Sequence, residues 1–358
     1  MELLSVTMND GVMPRSEIEG KDNSSEDKSN YKVVLTGDMV YNSMRMWQGA
    51  NGISPCDGIV SPAYTVLMPK IPISNGYFAA FFKSPNLINE FRKNSQGMTS
   101  DTWNLKYPQI ETIKVCIPAL SEQNRVADML RTLERRIAKQ AQLVDNLKKY
   151  KRGVMQRIFR QLPSQNGTEW TCVRLGDIFK KVSRRNTDGV IKNVITNSAE
   201  YGLIPQRDFF DKDIAVDGNT ANYYVIENGD FVYNPRKSNS APYGPFNRYT
   251  LSEQGIISPL YTCLVLQADI SPSYLAWYFK SDAWYRYIYD NGSQGVRHDR
   301  VSMTDDLLMG IPVMYPSHVK QLLYADILDM VEARLQATQK TLDFLNKMRD
   351  GYMRQLFI

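Results

Sequence analysis

The sequence predicts an α+β protein with two similar modules separated by two long antiparallel coiled-coil helices, related by pseudo-twofold symmetry. The first reason is an internal repeat, because Gly-Asp-x-Val-Tyr-Asn at 37–42 recurs at 229–234. Residues 58–67, 82–84 and 95–97 recur in the same order at 255–264, 279–281 and 293–295. Copies so far apart indicate two modules rather than the short repeats of a solenoid. The second reason is a heptad pattern after each copy.

Each module is predicted to mix strands with short helices. Short β-prone runs alternate with the turn signals Asn-Gly and Gly-Asp, which is typical of strands joined by tight turns. We expect strands within residues 31–35, 39–41, 223–226 and 256–266. Short helices are expected within 76–91 and 273–289, where aromatic residues recur at helical spacing.

A heptad seam begins after Ile117-Pro118, where Pro and Gly almost vanish until Gly153. Apolar residues recur at alternating spacings of four and three, which predicts a long helix with one buried stripe. The pattern returns 198 positions later with polar interruptions at equivalent places, Gln140 and Lys151 in one helix and Thr338 and Arg349 in the other. The core seam positions are Leu130, Leu133, Ile137, Val144 and Leu147, and Leu328, Val331, Leu335, Leu342 and Leu345.

The simplest partner for each seam is the other helix. Two helices separated by a whole module can run antiparallel, and a seam from residue 126 to residue 158 would span about 50 Å. The alternative is that each helix packs only on its own module. A core helix seldom needs so long and strict a seam, so the paired arrangement is favoured.

Composition limits the class of protein. The length of 358 residues suggests two or three domains, and 43% hydrophobic residues are typical of a globular protein. The four cysteines have no Cys-x-x-Cys spacing, which favours reduced thiols and a cytoplasmic location. The sequence shows neither an apolar run of membrane-spanning length nor a signal peptide, so no membrane association is expected. The net charge of +5 permits a polyanionic partner without requiring one.

The motifs of common catalytic chemistries do not occur in the sequence. It has no Gly-x-x-x-x-Gly-Lys-[Ser/Thr] phosphate loop, and the Asn-Pro at 234–235 is not followed by the Pro-aromatic pair of an adenine methyltransferase. The two histidines and the scattered cysteines lack metal-ligand spacing. Asp305-Asp306 fits a solvated turn better than a magnesium site. We therefore expect no catalytic residue, no metal and no cofactor, and a self-contained nuclease or methylase is the least favoured class.

Three segments carry a family resemblance. Ile-Pro-Ala-Leu-Ser-Glu-Gln-Asn-Arg-Val-Ala at 117–127, the heptads, and Lys-Arg-Gly-Val-Met-Gln-Arg-Ile-Phe at 151–159 resemble the central conserved region of type I restriction-modification specificity subunits. Residues 311–357 resemble the C-terminal conserved region, and 170–178 looks like the opening of a target recognition domain. The resemblance covers the whole chain. It implies recognition domains at 1–116 and 161–310 and conserved helices at 117–160 and 311–358.

The resemblance also implies a function. In this family each recognition domain reads one half of a bipartite double-stranded DNA target, while the helices set the spacing and dock two methyltransferase subunits. Restriction subunits, which translocate and cut DNA, join through the complex. The chain would then be a non-catalytic specificity subunit that acts in DNA methylation and host defence.

Two departures from the family pattern stand out. The first module lacks a counterpart to residues 173–191, because Gly202 aligns with Gly11. In addition, pairing Ile117-Pro118 with Ile311-Pro312 implies four extra residues before the second helix. The missing opening leaves an alternative function open, namely a truncated or silent cassette that acts only as a protein-interaction scaffold.

Candidate DNA contacts lie in two pairs of loops. DNA readout needs polar side chains that reach base edges and phosphates. The loops after the repeated Gly-Asp motif differ in sequence while the strands match, as expected if one scaffold presents two specificities. The candidates are Asn42, Ser43, Arg45, Gln48, Gln96 and Thr99 (with Ser100), and Asn234, Arg236, Lys237, Ser238, Gln294, Arg297 and Arg300 (with His298). For each, a structural role or simple solvation is the alternative, and Trp47 is expected to pack rather than to insert between bases.

Two basic runs, at 148–152 and 180–185, allow two interpretations. A solvated helix end and a solvated loop are favoured over phosphate clamps. Phosphate clamping would appear as a steep salt dependence of DNA binding.

Overall fold

A computed structural model describes residues 1–357 except 9, 21, 23, 100–102, 209–219 and 293–298. The chain divides into two compact units, Met1–Val144 with Ala337–Ile358, and Asp145–Gln336. Each unit contains one mixed module of strands and short helices and a part of each long helix. The predicted α+β class with two long helices is confirmed.

The first unit begins with strands and then forms three short helices. The elements are β1 (Glu2–Thr7), β2 (Gly11–Pro14), β3 (Lys32–Val34), β4 (Met39–Asn42), β5 (Asn51–Ile53), β6 (Gly58–Val60), β7 (Tyr64–Leu67), α1 (Asn75–Phe81), α2 (Pro85–Asn94) and α3 (Tyr107–Ile110). One sheet has the order β2-β1-β6-β3 and the other β5-β4-β7. β1 and β6 run parallel, and the other neighbours are antiparallel. Ser84 caps the start of α2. The helical region predicted at 76–91 is therefore divided into two helices, α1 and α2.

The chain continues through the first long helix, α4 (Leu120–Gln156), and a π-helical turn at Arg157–Gln161 into the second module. The remaining elements are α5 (Leu162–Gln165), β8 (Thr171–Arg174), α6 (Leu175–Ile178), β9 (Phe179–Val182), β10 (Ile195–Ser198), β11 (Gly202–Pro205), β12 (Tyr224–Ile226), β13 (Phe231–Tyr233), β14 (Phe246–Arg248), β15 (Gly255–Ile257), β16 (Thr262–Leu266), α7 (Pro272–Lys280), α8 (Tyr285–Asn291), α9 (Asp305–Met309), β17 (Pro312–Tyr315) and α10 (His318–Leu356). The largest sheet of this unit has the order β14-β13-β16-β9, and β17 pairs with β8.

The two modules repeat the same order of elements. The β1–β2 hairpin pairs Leu4 with Pro14, and the β10–β11 hairpin pairs Ile195 with Pro205 in the same register. β3 to β7 then correspond to β12 to β16, and α1 to α3 correspond to α7 to α9. In the described part of the first unit, no strand or helix corresponds to β8, α6, β9 or β17.

The repeated Gly-Asp motif forms a tight turn before β4 and before β13. Gly37 and Gly229 have φ values of 91° and 99°, in the left-handed region that favours glycine. The following aspartates close the turn, because Asp38 accepts a hydrogen bond from the backbone N of Leu35 and Asp230 accepts one from that of Glu227. The identity of the motif in both copies therefore has a structural reason.

The two long helices run antiparallel and contact each other within both units. In the first unit Gln140 Nε2 donates to the Thr338 carbonyl at 2.8 Å, and Val126 shares a core with Phe357. In the second unit Lys151 Nζ lies 2.6 Å from Glu332 Oε2. As the residue number rises along α4, the number of the contacting residue in α10 falls, so the two helices run in opposite directions. The alternative of two helices packed only on their own modules is wrong, and all ten core seam residues are buried or half-buried.

Equivalent glutamines hold the start of each long helix against its module. Gln123 Oε1 accepts from Ser74 N at 3.0 Å while its Nε2 donates to the Pro118 carbonyl at 2.9 Å. Gln321 makes the same pair of bonds with Ser271 and Pro316, at 2.8 and 2.9 Å.

These bonds correct the pairing of the two helix regions. Pro118 corresponds to Pro316, not to Pro312, so the expected four extra residues do not lie between the equivalent proline and the helix. The sequence error arose because an Ile-Pro dipeptide also occurs at 311–312, where the chain enters β17.

Within the described ranges, no helix combines the length and apolarity of a membrane span.

Candidate nucleic-acid interface

Asn234 directly follows β13, an inner strand of the largest sheet in the second unit, and begins the candidate loop. Its side chain is only 6% exposed, Oδ1 accepts from Arg236 N at 3.0 Å, and Nδ2 donates to the Asn197 carbonyl at 3.3 Å. This Asx-type turn fixes the backbone that carries Arg236. Asn234 therefore supports the loop from beneath, whereas Arg236, Lys237 and Ser238 are exposed.

The two candidate loops of the second unit form one surface. Lys237 N donates to the Asp299 carbonyl at 2.9 Å, and Val301 N donates to the Pro235 carbonyl at 2.8 Å. An isolated β-bridge joins Arg236 and Arg300 across these bonds. The structure thus brings together Arg236, Lys237 and Arg300, which the sequence placed in separate loops. Gln294, Arg297 and His298 lie outside the described residues.

Two arginines, Arg236 and Arg300, lie near Tyr261 on this surface, and Arg300 Nε is 3.9 Å from the carboxylate of Asp299. Burial raises the pKa of Tyr261, and the nearby guanidinium groups of Arg236 and Arg300 act in the opposite direction. The phenol stays neutral at physiological pH and can serve as a hydrogen-bond donor. Two cations and a neutral hydroxyl can bind a phosphate or the acceptor edge of a base.

The loop after β4 in the first unit is built in the same way. Asn42 Oδ1 accepts from Met44 N at 3.1 Å, as Asn234 does for Arg236, and Ser43 is 8% exposed with its hydroxyl donating to the Ala63 carbonyl. Arg45 is exposed and Gln48 is half-buried. Asn42 and Ser43 therefore shape the loop, and Arg45 and Gln48 are the side chains that can reach a partner.

Equivalent backbone bonds join the two candidate loops of the first unit. Leu105 N donates to the Ser43 carbonyl at 2.8 Å, which matches the bond from Val301 to Pro235. Gln96 and Asn104 exchange two backbone hydrogen bonds, of 3.0 and 2.9 Å, at the base of the second loop. Gln96 and Thr99 are exposed, and Ser100 lies outside the described residues.

Trp47 packs inside this loop pair, as the sequence predicted. Its ring lies edge-on to Trp103 with centroids 5.1 Å apart, and Nε1 donates to the Met44 carbonyl at 3.1 Å. The Arg92 guanidinium lies 5.7 Å from the Trp47 ring. Arg92 and Trp103 were missed by the sequence reasoning. The paired tryptophans at the edges of two candidate loops are the signal that could have found them.

Two of the four basic residues in the run at 180–185 form internal ion pairs. Lys181 Nζ lies 2.6 Å from Asp305, and Arg184 pairs with Glu227 at 3.2 Å and with the buried carboxylate of Asp230. Lys180 and Arg185 remain exposed. Asp305 is in the first turn of α9, whose start is capped by Thr304, so it has a structural role. Among the residues described, no cluster of His, Cys, Asp and Glu could hold a metal ion.

The repeated Phe-Lys-Ser motif places its lysines in two equivalent pockets. Lys280 lies in a cavity of about 180 Å³ with Lys151 and Glu332, and its Nζ is 4.8 Å from the Trp277 ring. Lys83 lies in a cavity of about 560 Å³ with Glu134. Burial lowers the pKa of both lysines. Both face a long helix, so the identity of this motif is also structural, and Lys151 belongs to the seam rather than to a phosphate clamp.

Comparison by sequence gives no relative: no protein-family model matches this chain, and no curated protein matches it. Solved structures do match. The type I restriction-modification S subunit from M. genitalium superposes with a TM-score of 0.57 at 14% identity, covering 91% of this chain and 84% of that one. The fold is that of a type I specificity subunit.

A second solved structure agrees with this assignment of the fold. It comes from work on complex assembly and conformational transition of the type I R-M system, and it matches with a TM-score of 0.53 at 18% identity. The match covers 93% of this chain and 84% of that chain. The predicted resemblance therefore holds for the fold over nearly the whole length.

Proposed function

We propose that this chain is the DNA-specificity subunit of a type I restriction-modification complex and reads a bipartite double-stranded target. The observation that carries the proposal is the duplicated loop pair. Equivalent backbone bonds, from Leu105 to Ser43 and from Val301 to Pro235, hold the same framework in both units. The side chains on that framework differ, with Arg45 and Gln48 on one and Arg236 and Lys237 on the other. One framework with two sets of donors suits two different half-sites.

The recognition domains in this proposal are residues 1–116 and 161–310. The segments 117–160 and 311–358 connect these domains and bind the methyltransferase subunits. Arg236 and Arg300 are the first candidates for base contacts in the second domain, because arginine donates two hydrogen bonds to guanine in the major groove. Arg45 and Gln48 take that part in the first domain. Asn42, Ser43 and Asn234 act on DNA only through the shape of the loops.

Methyltransferase subunits would dock on the long helices, and restriction subunits would join through them. α10 exposes Val319, Leu322, Leu323 and Met330 to solvent. The equivalent positions of α4 are Ser121, Asn124, Arg125 and Thr132, all polar. A group of exposed apolar side chains is typical of an interaction surface. α4 exposes apolar residues at other positions, Leu120, Met129 and Leu143. In this proposal the two docking surfaces therefore differ in the arrangement of their apolar side chains, and the start of α10 carries the denser group. In this proposal the chain itself performs no catalysis.

The test is a pair of arginine substitutions in the chain assembled with its methyltransferase. Arg236→Ala should weaken binding of the selected target by roughly 1–3 kcal/mol and relax preference at one position of one half-site. Arg45→Ala should relax the other half-site. Arg286→Ala, an exposed arginine paired with Asp290 on α8, is the matched control and should change neither. Equal losses on all sequences would reduce Arg236 and Arg45 to phosphate contacts.

A further inference from the structure

In the second unit the indole ring of Trp277 contacts charged side chains of α4, α7 and α10. Lys280 Nζ and Lys151 Nζ lie 4.8 and 5.2 Å from the centre of the ring. Trp277 Nε1 donates a hydrogen bond to Asp329 Oδ1 at 2.8 Å, and the side chain is only 5% exposed. The ring is therefore held by two cations that attract its π-electrons and by a carboxylate that accepts its N–H proton.

The first unit repeats the cations of this arrangement but not the ring. The repeat places Ala80 at the position of Trp277, Lys83 at that of Lys280, Arg349 at that of Lys151 and Arg131 at that of Asp329. Among the described residues, no aromatic ring makes a cation–π contact with Lys83 or Arg349. An alanine thus replaces the tryptophan, and a guanidinium replaces the carboxylate.

A cavity lies beside Ala80 in the first unit. Its volume is about 560 Å³, whereas the equivalent cavity beside Trp277 measures about 180 Å³. β2, β5, α1 and both long helices contribute to its walls. None of residues 173–191 lines the equivalent cavity of the second unit, so the first module's departure from the family pattern does not affect this site. The volume falls within the range of roughly 300–1,000 Å³ that small-molecule sites occupy.

The cavity carries more positive than negative side chains. Lys83, Arg131 and Arg349 line it together with Asp10 and Glu134. Burial lowers the pKa of Lys83, and the charge of Arg349 acts in the same direction, against the two carboxylates. Among the described residues Lys83 forms no ion pair. A negatively charged ligand would therefore be attracted to the cavity.

The guanidinium of Arg131 is accessible to such a ligand. Its side chain is 69% exposed, and its ion-pair partner is Asp128, which is 66% exposed on the same helix. An exposed ion pair of this kind contributes little to stability. A carboxylate of a ligand can therefore replace Asp128 at small cost and form the bidentate bond that a guanidinium favours.

We propose that this cavity binds an aromatic ring that carries an acidic group. The ring takes the place that Trp277 has in the second unit and contacts Lys83 and Arg349. The acidic group faces Arg131, because a guanidinium selects a hydrogen-bond acceptor where Asp329 selects an N–H donor. Two sources have this chemistry, namely a free aromatic acid and a partner protein's tryptophan next to an acidic residue.

The experiment is a calorimetric titration of the full chain with indole-3-acetate. We expect saturable binding. Ala80→Trp rebuilds the ring of the second unit inside the cavity, so it should weaken binding at least roughly tenfold without lowering the thermal midpoint. Gln142→Trp, the same side chain at an exposed position of α4, is the matched control and should bind as the unchanged chain does.

A second variant tests the acidic group. Arg131→Asp gives the first unit the carboxylate of the second, so it should weaken the binding of indole-3-acetate at least roughly tenfold and favour neutral 3-methylindole. Arg135→Asp changes the charge equally at an exposed position of the same helix that does not line the cavity. This control should leave the preference for indole-3-acetate unchanged.

A capped Glu-Trp dipeptide distinguishes the two sources. Tighter binding of the dipeptide assigns the site to a side chain of a partner protein, and tighter binding of indole-3-acetate assigns it to a free aromatic acid. The proposal would be overturned if neither probe bound saturably, or if the Ala80→Trp variant bound them as well as the unchanged chain. The assay contains no DNA, so its failure would leave the proposed DNA recognition untouched.

Discussion

Gln140 and Thr338 are equivalent positions of the repeat, 198 residues apart, and they contact each other through a 2.8 Å hydrogen bond from Gln140 Nε2 to the Thr338 carbonyl. A residue can meet its own repeat equivalent only near the midpoint of a seam shared by two antiparallel helices. This polar pair therefore specifies the register of the helix pair, as single polar residues do in coiled coils. A slip by one turn would place Gln140 among apolar side chains without its acceptor.

The second polar interruption of the seam predicts a pH-dependent contribution to stability. Burial raises the pKa of Glu332, but the hydrogen bond and the charge of Lys151 outweigh burial and leave the pKa below its usual 4.5. The folded pKa is depressed, so the stabilisation is present above pH 4.5 and is lost as the pH falls through the folded value. Glu332→Gln should lower the free energy of unfolding at pH 7 by about 1 kcal/mol, with a smaller loss at acid pH. Urea unfolding at several pH values measures this, with exposed Glu122→Gln as control, and a loss independent of pH would contradict it.

The glutamines that begin the long helices should be among the most sensitive polar positions. Gln123 and Gln321 are each 2% exposed and satisfy one backbone donor and one backbone acceptor. Gln321→Ala leaves both groups without a partner, which should cost about 2–4 kcal/mol. Gln142→Ala, at an exposed position of α4, should cost less than about 0.5 kcal/mol. Thermal unfolding compares them, and equal midpoints for the two variants would show that the glutamine bonds do not stabilise the chain.

The different arrangement of exposed apolar residues on the two long helices predicts unequal docking of methyltransferase subunits. Leu323→Asp places a charge among the exposed apolar residues of α10 and should reduce binding of one methyltransferase subunit by at least roughly tenfold. Arg125→Asp at the equivalent position of α4 is the matched control and should have a smaller effect. Mass measurement of the assembled complex would show a change from two methyltransferase subunits to one. If the Leu323→Asp variant still binds two methyltransferase subunits, the exposed apolar residues of α10 are not a docking site.

The helical half of the fold could be predicted from the sequence because a heptad seam is a local, periodic signal. Gln140 and Lys151 showed by their spacing where the seam would be polar. The pairing of the helix starts was predicted wrongly, although the 198-residue offset of the heptads already pairs Pro118 with Pro316. The Ile-Pro dipeptide at 311–312 resembles the one at 117–118, and the contacts of Gln123 and Gln321 show that Pro316 is the equivalent proline.

The candidate interface was predicted in part. The loops after the Gly-Asp turns were found from their divergence, and Arg45, Arg236 and Lys237 are exposed there. Asn42, Ser43 and Asn234 are polar residues next to the same loops, yet they face inward and bond to backbone groups. Composition cannot separate a residue that shapes a loop from one that reaches out of it. The contact between Arg236 and Arg300 is non-local and also had no sequence signal.

The most direct test of the central claim is the consensus of DNA targets selected by the full chain assembled with its methyltransferase. Methylated adenines would be mapped across a genome that expresses both proteins. The two duplicated modules predict two short fixed half-sites separated by a spacer of constant length and free sequence. Arg236→Ala should alter one half-site and leave the other and the spacer unchanged. A single uninterrupted consensus, or methylation without sequence preference, would contradict the account.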